Sequence, residues 1–300
     1  MNKLLRKILL GYSNPQKYPA IRVKSNEIKE RVLLYSEGKI SDITANHSIV
    51  CEKPFCIAIF FLDGQQAFNL NKIEIRVERG AKVVAKLKLT LKDQIDAGGT
   101  SVFIYEIDEA KTFQLSNVRQ YFLMRYFLRE KKLTEKEGKI YAALYSYPRE
   151  VVIISYEEDG YYNMFPMDFR RYYELDNLYV FGLRSTNITL GKILESGKLV
   201  ACNTDAAKLE DIYYLGRHHS TMPPQKNDMP FELVKSELYA FPVPAFSASY
   251  KEVKIINSKK IGSHVLMIGK VVNKKEIRPD ECSVYHIHFF EYVKAGYRQL

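Results

Sequence analysis

Residues suited to holding an anion are most concentrated in the run RSTNITLGKILESG, where Arg184, Ser185, Thr186 and Thr189 stand ahead of a short helix that Gly197 ends. A helix start offers unpaired N–H groups and the positive end of the helix dipole. With hydroxyls and a guanidinium beside it, that arrangement suits a phosphate. The same residues also read as an ordinary cap, with Thr186 or Asn187 closing the helix start and Arg184 in solvent. The histidines say less. His218 and His219 are neighbours that point apart, and no third ligand is spaced to join them. His286 and His288 share a face of the alternating run YHIHFF, a spacing that can chelate a metal, although packing on a sheet face is its ordinary meaning. His264 stands alone at a strand entrance. Cys51 and Cys56 are too loosely spaced for a zinc knuckle and no similar pair follows, so no metal site is expected.

The elements that must position these residues read mainly as strands. Cys56 to Leu62 is an apolar run stopped by Asp63-Gly64. Lys72 to Val77 and Val83 to Leu89 alternate with a period of two and are joined through Glu78-Arg79-Gly80 as a hairpin. Val102 to Ile107 is a further strand. Asn117 caps a predicted helix to about Arg129. The polar run from Arg129 to Lys139 reads as a linker, dividing a β-rich unit at 1–138 from a second unit at 140–300. In the second unit, Val151 to Ser155, YYNMFPM, Leu178 to Leu183 and Leu199 to Cys202 read as strands. Asp205 caps a helix whose apolar face carries Leu209, Ile212, Tyr213 and Leu215 and which ends at Gly216. A Pro-rich loop follows from Arg217 to Pro230, then strands from Lys251 to Ile256 and Val265 to Val272. The expected class is mainly β, or α+β: a small barrel with short helical insertions after a β-rich domain. No internal repeat is evident in the residues.

Composition agrees with that class. The 300 residues include 22 Tyr and 16 Phe and no Trp, and aromatic side chains pack well on half-buried pleated surfaces. The net charge of +10 is spread along the chain and interleaved with acids. It therefore suits a phosphate-bearing small molecule as well as nucleic acid, and no nucleic-acid motif accompanies it. The four cysteines, Cys51, Cys56, Cys202 and Cys282, point to buried thiols in a reducing, cytoplasmic setting. At the N-terminus, Arg6 and Lys7 interrupt the apolar run, so neither a signal peptide nor a membrane span is expected.

Three segments together resemble the flavin reductase-like, FMN-binding split-barrel proteins. In YPREVVIISYEEDGYYNMFPMDF the shared elements are Pro148-Arg149, the strand, Asp159-Gly160, Asn163 and Pro166. In RSTNITLGKILESGKLVACN they are Ser185, Thr186, Thr189, Ile193, Ser196-Gly197 and Asn203. In IGSHVLMIGKVV they are Gly262, His264 and Gly269. The resemblance spans about Ala142 to Val272 and implies a C-terminal split barrel. It also implies bound FMN, NADH or NADPH as hydride donor, and a homodimer. By position it places Asn163, Pro166, Met167, Asp168, Arg184, Ser185, Thr186, Thr189 and His264 at the flavin, with no catalytic side chain required. The alternative is a flavin- or ligand-binding protein without catalysis, whose first domain is an interaction module. Asp168 departs from the family, which usually has Ser or Thr there. A carboxylate beside a phosphate is unfavourable, so Asp168→Ser is expected to tighten FMN.

Overall fold

The computed structural model describes residues 20–63, 70–113, 118, 121, 133–217, 221–278, 282–287 and 295–297. Most of the helix expected from Asn117 lies outside them, as do His218, His219 and His288.

The chain is mainly β. Strand β1 (Ala20–Val23) precedes seven strands: β2 (Glu30–Ser36), β3 (Lys39–Asp42), β4 (His47–Glu52), β5 (Phe55–Leu62), β6 (Lys72–Arg79), β7 (Lys82–Asp96) and β8 (Thr100–Thr112). They form one antiparallel sheet in the order β3-β2-β6-β7-β8-β5-β4. Helix α1 (Glu135–Leu144) and the short β9 (Arg149–Glu150) follow. The second sheet uses β10 (Val152–Glu158), β11 (Tyr161–Met167), β12 (Arg170–Tyr173), β13 (Leu178–Arg184) and, after helix α2 (Leu190–Ser196), β14 (Lys198–Asn203). Helix α3 (Leu209–Gly216) and the small hairpin β15 (Leu233–Lys235) and β16 (Pro242–Pro244) interrupt it. Strands β17 (Ser249–Ile261) and β18 (His264–Glu276) then complete the order β11-β10-β14-β17-β18-β13-β12. A last strand, β19 (Ser283–His286), lies between β1 and β9.

Strand β5 shows why its run is apolar throughout. Phe55, Ile57, Ile59 and Phe61 face the core of the first sheet. The alternate residues Cys56, Ala58 and Phe60 face a second core against Leu178 and Val180 of β13 and Leu266 and Ile268 of β18. Both faces are covered, so a polar residue on either would lose its water. The two sheets therefore share a core in addition to their own. Among the described residues no helix is long and apolar enough to cross a membrane.

Two sequence expectations change. The stretch read as a linker from Arg129 to Lys139 is, from Glu135 onward, the polar first half of α1. Thr134 and Glu137 close its start as a reciprocal capping box. The apolar residues that anchor it, Ile140, Ala143 and Leu144, enter the first sheet's core only after the polar run ends. Helix α2 begins at Leu190, with Thr189 rather than Thr186 or Asn187 at the cap position. Asn187 instead folds the preceding turn, its Oδ1 accepting from the Thr189 N–H at 2.8 Å.

Candidate functional site

A cavity of about 420 Å³ opens where β4 and α1 face β11, β13 and β18. Strand β11 and the bend after it supply Pro166, Met167, Asp168 and Phe169. Strand β13 supplies Gly182, Leu183 and Arg184, and the start of β18 supplies His264. The opposite wall is Glu52 at the end of β4 with Tyr141 of α1 and Tyr145 just after it. Tyr213 and Gly216 of α3 and His286 of β19 complete it. Gly182 allows this closeness: a Cβ there would lie 2.0 Å from the carbonyl oxygen of Val50. The first sheet can thus lie directly on β13, bringing Glu52 to Arg184.

At the base of the cavity is a buried chain of polar groups. Arg149 Nη2 donates to Asp168 Oδ2 at 2.7 Å, and the same oxygen is 2.9 Å from His286 Nδ1. The Tyr213 hydroxyl meets His286 Nε2 at 2.5 Å. With the ring neutral, Nδ1–H donates to Asp168 and Nε2 accepts from Tyr213. Burial pushes the Asp168 carboxyl up, but the Arg149 charge and His286 outweigh it and hold the group well below the usual carboxylate range. The Arg149 guanidinium lies 3.3 Å from the Tyr145 ring centroid, a cation–π contact. Its Nε and Nη1 are buried with no protein partner.

The aromatic wall is ordered as well. Tyr141 and Tyr145 stack with centroids 4.2 Å apart and 17° between planes. Burial pushes both phenols up, so they remain neutral near pH 7. Phe169 stacks on His264 at 5.6 Å, and Ser263 Oγ sits 2.9 Å from His264 Nδ1. At the mouth, Arg184 Nη2 donates to Glu52 at 2.7 Å with its side chain half exposed.

Of the residues singled out in sequence, Pro166, Met167, Asp168, Arg184 and His264 line this cavity. Ser185 and Thr186 follow Arg184 and are exposed. Asn163 and Thr189 are buried and bonded to each other, Asn163 Nδ2 donating to Thr189 Oγ1 at 2.8 Å, with the Tyr161 hydroxyl on the same oxygen. They brace β11 against the start of α2, away from the cavity lining. Glu52, Tyr141 and Tyr145 were missed, and Arg149, Tyr213 and His286 were noted as a motif residue, a helix-face residue and a sheet-face residue without being assigned to this site. For His286 the alternation of YHIHFF was a usable signal. For the others, which lie far apart in the chain, only the fold brings them together.

No protein-family model matches the sequence, and no curated protein matches it. In structure the chain is similar to an FMN-binding protein from Thermus thermophilus, at 16% identity over 43% of this chain and 71% of that one, with a TM-score of 0.38. It is similar to an NADH:FAD oxidoreductase from Streptomyces globisporus, at 13% identity over 54% and 91%, with a TM-score of 0.46. It is also similar to the flavin reductase component of a bacterial two-component tryptophan halogenase, at 15% identity over 49% and 91%, with a TM-score of 0.44. Over about half of its length, then, the chain resembles solved flavin reductases and FMN-binding proteins.

Proposed function

We propose that the cavity binds FMN and that the protein uses NADH or NADPH to reduce it. One observation carries the reading: Pro166 to Asp168, Arg184 and His264, from segments far apart in the chain, meet in one cavity beside a stacked tyrosine pair. A flat ring system with a polar edge fits such walls. Pro166, Met167, Phe169 and Leu183 offer apolar contact, while Asp168 accepts hydrogen bonds and His264 offers a ring nitrogen. The antiparallel second sheet is compatible with the split barrel that the motifs imply, and the free thiols suit a cytoplasmic setting.

When bound, the flavin supplies the redox chemistry, taking a hydride from the nicotinamide. The chain's part is to bind and orient. Asp168, fixed by Arg149 and His286, remains an acceptor and holds no proton. Arg184 is the cation for the flavin phosphate, with the Ser185 and Thr186 hydroxyls next to it in the chain. An exposed pair such as Arg184–Glu52 contributes only about 0–1 kcal/mol, so a phosphate can take the place of Glu52.

FMN and riboflavin titrations, followed by steady-state NADH and NADPH oxidation with added FMN, test this reading. FMN is expected to bind more tightly than riboflavin, and Arg184→Ala to weaken FMN by roughly 1–3 kcal/mol. Equal affinity for the two ligands removes the phosphate contact. FMN binding without nicotinamide oxidation leaves a flavin-binding protein with no reductase activity.

A further inference from the structure

We infer that the chain is two copies of one fold unit paired face to face, and that the cavity between them is a binding site completed within a single chain, one per molecule. Numbered from its own first strand, each sheet has the same order: β3-β2-β6-β7-β8-β5-β4 becomes β11-β10-β14-β17-β18-β13-β12. The registers agree at the turns of the two outer hairpins and between β5–β8 and β13–β18, and differ by two residues where β6 and β14 meet the long hairpin. Leu33 pairs with Asp42 as Ser155 pairs with Met164. Cys51 pairs with Cys56 as Tyr173 pairs with Leu178. Phe60 pairs with Val102 as Gly182 pairs with Leu266. The irregularities of the long hairpin agree too, while the shifts at Ile49/Cys51 and Val77/Glu78 have no counterpart in β12–β13 and β14–β17. The long hairpin β7–β8 shifts register at Lys88/Leu89 and Leu91/Asp93, and β17–β18 shifts at the equivalent Glu252/Val253 and Ile255/Asn257. A bulge is a local feature that a sheet does not need, so two at matching places mark a common unit. Each copy opens on a hairpin turned by an acid and a glycine, both at positive φ: Glu37-Gly38 and Asp159-Gly160. A short strand precedes each copy, β1 and β9, and both pair with β19.

The pairing is isologous, as between two subunits related by a two-fold axis. Cys56, Ala58 and Ile104 of the first copy enter the shared core, and so do their counterparts Leu178, Val180 and Ile268. That surface is therefore used up inside the chain. The two copies differ at the site. Asp168, Arg184 and His264 of the second copy correspond to Asn46, Leu62 and Thr100 of the first, so these three ionisable groups have neutral counterparts. Asn46 and Thr100 are engaged structurally, donating to the Phe60 carbonyl and to Asp176. The surviving site takes its opposite wall from the first copy's Glu52, from Tyr141 of the helix that follows it and from Tyr145 just after that helix.

The test uses FMN as the probe and in that part rests on the function proposed above. The full chain is measured by light scattering at micromolar concentration, with and without FMN, and titrated for stoichiometry. A single-chain mass of 34.9 kDa and one FMN per chain are expected. Tyr141→Ala should weaken FMN roughly two- to tenfold by loss of a ring contact. A two-chain mass overturns the single-chain site, as does a Tyr141→Ala protein that binds FMN normally. A single-chain mass with no FMN binding removes the flavin reading and leaves the internal pairing standing.

Discussion

Asp168 accepts from Arg149 and His286, so its charge is balanced before any ligand arrives. This changes the expected effect of substituting it. Asp168→Asn leaves Arg149 buried without its counter-charge, and breaking such a pair costs about 3–5 kcal/mol; urea midpoints should show the loss. Asp168→Ser is expected to weaken FMN, because His286 and Arg149 lose the group that orients them. The family comparison at this position showed only an acid where a hydroxyl is usual. The resemblance showed Arg149 as a motif residue but not its contact with Asp168, because Arg149 lies on a different strand. The acid-side stability has two windows. Asp168 is held below its unfolded value, so its contribution is present above about pH 4 and is lost as pH falls further. His47 is buried, with Nδ1 2.6 Å from the Ile43 carbonyl and Nε2 2.8 Å from the Tyr147 hydroxyl. Burial, with the nearby Arg171 charge, lowers its pKa from 6.5 to about 4. Between those values the unfolded chain binds the extra proton, so stability falls as pH drops through the window. Between pH 7 and pH 5 the loss should be roughly 2 kcal/mol. A His47→Gln protein should show less pH dependence over that interval; an unchanged dependence would place the titrating group elsewhere.

At the scale of elements, Gly182 and the start of α1 determine whether the cavity has a second wall. A methyl at Gly182 meets the Val50 backbone rather than a flexible side chain. Gly182→Ala should therefore cost at least roughly 1–3 kcal/mol, the usual range for overpacking, and lower the melting temperature. A neutral result would mean that β4 does not lie on β13 as described. Thr134→Ala removes the cap of α1 and should cost about 1 kcal/mol, read as a shift in the same melting curve. Strands β5, β6, β10 and β13 were legible because their apolar or alternating runs end at turn residues. Helix α1 was not, because its first turn is charged and its anchoring residues arrive late, although the Thr134–Glu137 spacing was there to be read. At the helix start expected to hold a phosphate, one hydroxyl is already engaged. Thr189 has the right type and spacing, but its hydroxyl is taken by Asn163 and Tyr161.

For the whole molecule, the β-rich class and the second unit's motifs were readable, while the duplication was not. The two copies share strand order, the outer-hairpin registers and the bulges of the long hairpin but few residue identities, because a sheet constrains which positions are apolar far more than which apolar residue fills them. The role of the first unit was open in the sequence reading, an interaction module being the alternative; in the fold it supplies a wall of the cavity. The central claim is that this cavity holds FMN, and a fluorescence titration of FMN into the purified full-length chain tests it most directly. The account predicts saturable quenching that ends at one FMN per chain and is weakened in Arg184→Ala. Quenching that fails to saturate, or that saturates identically in wild type and Arg184→Ala, would contradict it.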